Sequence, residues 1–99
     1  LQMRRICKEV EGPVLANMIE FGRSPLMASH QLQELGFAVA VWPVASVFVV
    51  SHALQILYRT LKETGSTMSL HEQMVDFEEY MKIVRLSELR EMEARYKKI

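Results

Sequence analysis

Pro13-Val14-Leu15-Ala16-Asn17-Met18-Ile19-Glu20-Phe21-Gly22 decides how this chain is read. Gly12-Pro13 is a turn signal, and the apolar run Val14-Leu15-Ala16 has the length and composition of a strand buried on both faces. A strand is therefore predicted over Val14 to Met18. The residues then turn polar and end in the loop Gly22-Arg23-Ser24-Pro25. A buried strand that presents an amide and a carboxylate at its C-terminal end is a common way to build a site in an α/β protein.

Upstream, Leu1 to Glu11 has helical spacing. Met3, Ile6, Cys7 and Val10 share one face, Arg4, Arg5, Lys8 and Glu9 lie outside it, and Gly12-Pro13 stops it. Downstream, a helix is predicted after Ser29, with Ser29 as N-cap, Leu32 and Leu35 on one side and Gly36 as the stop. Phe37 to Trp42 then completes a strand–helix–strand unit, which normally pairs its strands in parallel and crosses right-handed.

Pro43 ends the second strand. Val44 to Glu63 reads as a long helix with an apolar stripe of Val47, Val50, Leu54, Leu57, Tyr58 and Leu61, stopped by Thr64-Gly65-Ser66. His71 to Met74 fits a short helical turn. Asp76, with Glu79 three positions on, has the capping-box pattern, and Val75 with Tyr80 supplies a hydrophobic staple. Phe77, Tyr80, Met81 and Val84 form an apolar face on that helix. Ser87 is the expected cap of a last helix whose face is Leu89, Met92 and Tyr96.

The chain has 99 residues, 49% of them hydrophobic, which argues for a packed core and against disorder. Twelve basic and twelve acidic residues cancel, so no basic patch points to nucleic acid. The single cysteine, Cys7, excludes an internal disulfide and fits a reducing compartment, the cytoplasm or, for a longer parent, the mitochondrion. The apolar run Phe37 to Val50 is about 14 residues, short of the roughly 20 that span a bilayer, and Pro43 divides it. The composition thus predicts no membrane partner.

Two strands expose their edges and leave the helices without a full sheet to cover. The chain also has no initiator Met and opens inside a helix-like pattern. It is expected to be part of something larger.

Asn17 is the first candidate for chemistry. Its amide can donate to a carboxylate or phosphonate and accept from a hydroxyl, or it can tie down its own loop. Glu20 can bond to loop backbone or polarise the surroundings of Asn17; a general acid or base would need a tuned pKa and a partner within reach. Met18 and Ile19 line the same strand end or supply backbone groups. His30, His52, His71 and Cys7 share no metal-ligand spacing, and Cys7 reads as core.

The stretch Pro-Val-Leu-Ala-Asn-Met-x-Glu-x-Gly at residues 13–22 resembles the seventh strand of the isocitrate lyase/phosphoenolpyruvate mutase superfamily. Ser24-Pro25-Leu26, Glu34-Leu35-Gly36-Phe37, Trp42-Pro43 and Thr60-Leu61-Lys62 with Gly65 are similar to the family in spacing. So are Asp76-Phe77-Glu78-Glu79-Tyr80 and Met92-Glu93-Ala94-Arg95-Tyr96. The likeness is to the 2-methylisocitrate lyase, carboxyphosphonoenolpyruvate phosphonomutase and oxaloacetate decarboxylase branches. It covers nearly all of this chain and only the last third of a family member.

The resemblance implies an α/β fold: the last two βα units of a (β/α)8 barrel over residues 1–65, and a C-terminal helical extension over 66–99 used in subunit exchange. It implies a carbon–carbon lyase or phosphonomutase acting on 2-oxo or 2-hydroxy carboxylic acids. Asn17 would orient substrate, and Met18, Ile19 and Glu20 would lie beside it. It also implies Mg²⁺ held by a carboxylate cluster and a mobile loop carrying Lys-Cys-Gly. This chain has one aspartate, Asp76, in a capping context, and Cys7-Lys8 in the wrong order. No catalytic residue or metal ligand is therefore expected within it, and the chain alone is expected to be inactive.

Two arginines of the methylisocitrate lyases align with Phe48 and Phe77, and phenylalanine cannot pair with a carboxylate. This argues against a tricarboxylate bound as those enzymes bind it. The competing expectation is a non-enzymatic module that assembles homo-oligomers through its C-terminal helices.

Overall fold

The computed structural model describes residues 2–97. The chain divides into two compact units, Leu1–Ile56 and Leu57–Ile99. The boundary falls within the longest helix.

The first unit begins with helix α1 (Gln2–Glu9), followed by strand β1 (Leu15–Asn17), helix α2 (Ser29–Leu35), strand β2 (Val39–Val41) and the start of helix α3 (Ala45–Thr64). The strand–helix–strand expectation holds. β1 and β2 pair in parallel, Leu15 opposite Val39, Ala16 opposite Ala40 and Asn17 opposite Val41. Bonds from Ala38 N–H to the Val14 carbonyl (2.9 Å) and from Met18 N–H to the Val41 carbonyl (2.8 Å) extend the ladder at both ends.

One expectation is corrected here. β1 is not buried on both faces: Ala16 is 3% exposed, but Leu15 is 54% exposed. Burial of both faces needs a layer on each side of the sheet, and only one side is covered in the first unit. On that side Ala16, Met18 and Leu32 form the buried core, with Met3, Met27, Phe37 and Ala40 packed against it.

α2 starts one residue earlier than predicted. Ala28, not Ser29, is the N-cap, in extended backbone. Its carbonyl accepts from Gln31 N–H (3.0 Å) and Leu32 N–H (3.1 Å). An alanine has no side-chain acceptor, but Gln31 Oε1 accepts from Ala28 N–H at 2.9 Å, so half of a capping box is made from the helix side. Gly36 ends α2 as expected. At φ +108° it is left-handed, and the bonds Gly36 N–H to Gln33 and Phe37 N–H to Leu32 make a Schellman motif. α1 stays close to this turn: a Cβ built on Gly36 would lie 3.1 Å from Cys7 Cβ.

In the second unit a 3₁₀ helix (Met68–Gln73) precedes α4 (Phe77–Ile83) and α5 (Leu86–Tyr96), and α4 and α5 pack together. The expected turn at His71 to Met74 thus lies earlier, and it buries Leu70. Asp76 caps α4 as predicted, its Oδ1 accepting from Glu79 N–H at 2.8 Å. The cap of α5 is a correction: Arg85, not Ser87, stands there, at φ +56° and without a side-chain cap bond, and its guanidinium pairs with Glu88. Arg85 N–H bonds the Lys82 carbonyl, so α4 is still closing when α5 begins and Ser87 falls inside the first turn. Among the described residues no helix is long and apolar enough to cross a membrane.

Candidate functional site

A parallel pair brings its two C-terminal ends to the same edge, and the loops after them start side by side. Asn17 and Val41 are opposite one another at that edge. Asn17 is exposed, and among the described residues its amide makes no hydrogen bond. The amide is therefore not used to tie down its own loop.

Met18 and Ile19 have different roles. The Met18 side chain is 1% exposed, buried with Ala16 and Leu32, and its N–H is taken by Val41. Ile19 is exposed, and its carbonyl accepts from Gly22 N–H at 3.2 Å, closing a four-residue turn. Glu20 is half-buried inside that turn. Its Oε2 is shielded from solvent and has no hydrogen-bond partner among the described residues. A buried acceptor of this kind is rare and calls for a donor.

Phe21 was not anticipated as a site residue. It occupies the third position of the turn at φ +61°, a conformation that favours glycine, and it is 98% exposed. Its ring centroid lies 6.0 Å from that of Phe48, tilted by 49°. Phe48 belongs to the first turn of α3, just beyond the end of β2. The only hint in the sequence was an apolar residue between Glu20 and Gly22 in an otherwise polar loop.

Beyond the turn, a hollow of 600 Å³ is lined by Met3, Arg23, Pro25, Met27 and Leu35 among others. Asn17, Met18, Ile19 and Glu20 do not line it, so it is separate from the strand-end site. His30, His52 and His71 are all exposed, and Phe77 stands exposed at the start of α4. Among the described residues no three of His, Cys, Asp and Glu come together to hold a metal. Among the described residues the Mg²⁺ that the resemblance implies has no fitting ligand set.

No protein-family model matches the chain. Individual relatives do. A 2,3-dimethylmalate lyase of Eubacterium barkeri is 36% identical over 95 residues, 96% of this chain and 33% of that protein. The chloroplastic carboxyvinyl-carboxyphosphonate phosphorylmutase of Arabidopsis thaliana is 38% identical over 95 residues, 28% of its length. The crystal structure of a 2,3-dimethylmalate lyase, a PEP mutase/isocitrate lyase superfamily member, superposes with a TM-score of 0.79. It is 24% identical, and 95% of this chain covers 33% of it, which establishes the shared fold.

The parallel βα topology and the superposition define an α/β chain that shares the fold of the matched lyase. The chain belongs to the PEP mutase/isocitrate lyase superfamily. It spans about a third of the length of the relatives it matches.

Proposed function

We propose that this chain is the last two βα units and C-terminal helices of a (β/α)8-barrel enzyme that cleaves a carbon–carbon bond in a 2-hydroxy carboxylic acid. Asn17 carries the reading. Its amide stands at the C-terminal edge of a parallel sheet, where barrel enzymes place their sites, and it is free to bond a substrate. There the NH₂ group donates to a substrate carboxylate while the carbonyl accepts from the 2-hydroxyl. Both bonds fix the acid against the sheet edge. Ile19 and Glu20 shape the turn beside it, and Met18 anchors the strand end in the core. The acid, the base and the Mg²⁺ of the reaction belong to residues beyond these 99, so the isolated chain is inactive.

The test is turnover of 2,3-dimethylmalate, the acid named for the bacterial relative, by full-length protein carrying this chain, with and without Asn17→Ala. Loss of one oriented donor lowers kcat/KM by about 10²–10³-fold. An Asn17→Ala enzyme as active as the wild type overturns the assignment.

A second reading rests on the second unit. Phe77, Tyr80, Leu89, Met92 and Tyr96 are all exposed there. Such faces fit a homo-oligomer joined through α4 and α5, either within the enzyme or as a non-enzymatic module. A chain that stays monomeric at high concentration in sedimentation counts against both forms of it.

A further inference from the structure

We propose that Arg85 is a one-residue hinge, about which α4 and α5 interconvert between a bent pair and a single straight helix over residues 77–96. The inference concerns the second unit alone and stands apart from the lyase reading.

The break between the two helices is narrow. Val84 keeps right-handed dihedrals, φ −85° and ψ 0°, and its N–H bonds the Tyr80 carbonyl at 3.0 Å. The Arg85 carbonyl already accepts from Leu89 N–H at 3.1 Å, so it belongs to α5. Between these two bonds only Arg85 leaves the right-handed region, at φ +56° and ψ +45°. Turning that one residue to helical dihedrals would join the ladders. The N–H groups of Leu86, Ser87 and Glu88, which a helix start leaves outside its own ladder, would then bond back to Lys82, Ile83 and Val84.

Two effects oppose each other at this position. Straightening removes the cost of a Cβ in the left-handed region and adds those three helical bonds. Bending keeps α4 packed on α5, and that packing is loose. Met81 is 38% exposed, and with Leu86, Ser87 and Arg90 it lines a notch of about 370 Å³. The Arg85–Glu88 pair locks neither form, because residues three apart also meet on the surface of an unbroken helix.

The two forms present different surfaces. At about 100° per residue, Phe77, Tyr80, Met81 and Val84 share one side of a straight helix, and Leu86, Leu89, Met92 and Tyr96 lie about 120° away around its axis. Straightening therefore parts Met81 from Leu86, which share the notch in the bent pair.

The experiment is hydrogen exchange of the backbone amides of α4 and α5 in the full-length protein, compared among wild type, Arg85→Gly and Arg85→Val. Glycine enters the left-handed region freely and favours the bend, whereas a β-branched residue is all but excluded from it and favours the straight helix. The wild-type amides of Leu86, Ser87 and Glu88 are expected to be partly protected. Arg85→Gly is expected to speed their exchange roughly tenfold and Arg85→Val to slow it roughly tenfold, the scale of the left-handed penalty. Exchange of these three amides at one rate in all three proteins overturns the hinge. So does an Arg85→Val protein in which α4 and α5 loosen as a whole, since that is a fixed bend under strain. If Arg85→Val does not fold, wild type against Arg85→Gly decides, and exchange unchanged by the glycine overturns the hinge.

Discussion

Gly36 and Cys7 are packed so closely that a methyl group on the glycine would lie 3.1 Å from Cys7 Cβ. One contact joins α1 to the turn that ends α2, and it links two features of the sequence: a helix stop and a cysteine on an apolar helix face. Gly36→Ala therefore has two penalties, a left-handed φ and a crowded neighbour. The expected loss is about 1–2 kcal/mol or more, read by urea unfolding of the full-length protein. Cys7→Ala is expected not to rescue it, because the tight contact is with Cβ rather than Sγ. Full rescue would show that the sulfur, not the backbone approach, sets the spacing.

Trp42 follows β2 and is 41% exposed. Among the described residues the buried hydrophobics are Ala16, Met18, Leu32 and Leu70. So small a core offsets little conformational entropy. The isolated 99-residue chain is expected to show red-shifted Trp42 emission and a broad urea transition with no cooperative step. A blue-shifted emission lost in one sharp step would mean that the chain buries its faces by itself, as an oligomer does.

Glu20 gives opposite expectations in two contexts. Its shielded Oε2 lacks a partner among the described residues, so Glu20→Met is expected to be neutral or stabilising for the 99-residue chain. In a full-length protein that supplies the missing donor, the same change strands the donor and costs about 1–3 kcal/mol. Far-UV circular dichroism of the 99-residue chain at one temperature and thermal unfolding of the full-length protein read the difference. Equal effects in the two would show that no donor is supplied.

Asp76 is an N-cap whose own side chain accepts from the backbone of its helix. Asp76→Ala is expected to reduce the helicity of α4 and to destabilise by about 0.5–2 kcal/mol, whereas Asp76→Asn keeps most of the cap. Far-UV circular dichroism of the chain and its variants checks the helicity, and urea unfolding of the full-length protein checks the stability. The exposed pairs Glu78–Lys82 and Glu93–Lys97, both at 3.7 Å, add only tenths of a kcal/mol each, and their removal is not expected to show.

Local chemistry made much of this fold readable in advance. Gly36 ends a helix because only a residue without Cβ turns left-handed at little cost, and Asp76 caps one because its oxygen reaches a free N–H three residues on. The strand–helix–strand order follows from short apolar runs separated by a helical period, and Asn17 at the strand end followed from where the first run stops. These features depend on neighbours a few residues apart. The N-caps Ala28 and Arg85 differ from the expected hydroxyl residues because neither position uses a side-chain cap bond of its own.

The rest was settled by contacts between distant residues. Met18 and Ile19 are adjacent and similar in character, yet one is buried against Leu32 and the other closes an exposed turn. The alternation of a strand assigns them to opposite faces only once β2 fixes which face is covered. Phe21 shows the same division more sharply. The sequence by itself determined that a loop follows Asn17. Only the tertiary structure decided that this loop turns left-handed and sets a ring against Phe48, because their separation in the chain is closed by the pairing of β1 with β2 and by no local preference of either residue.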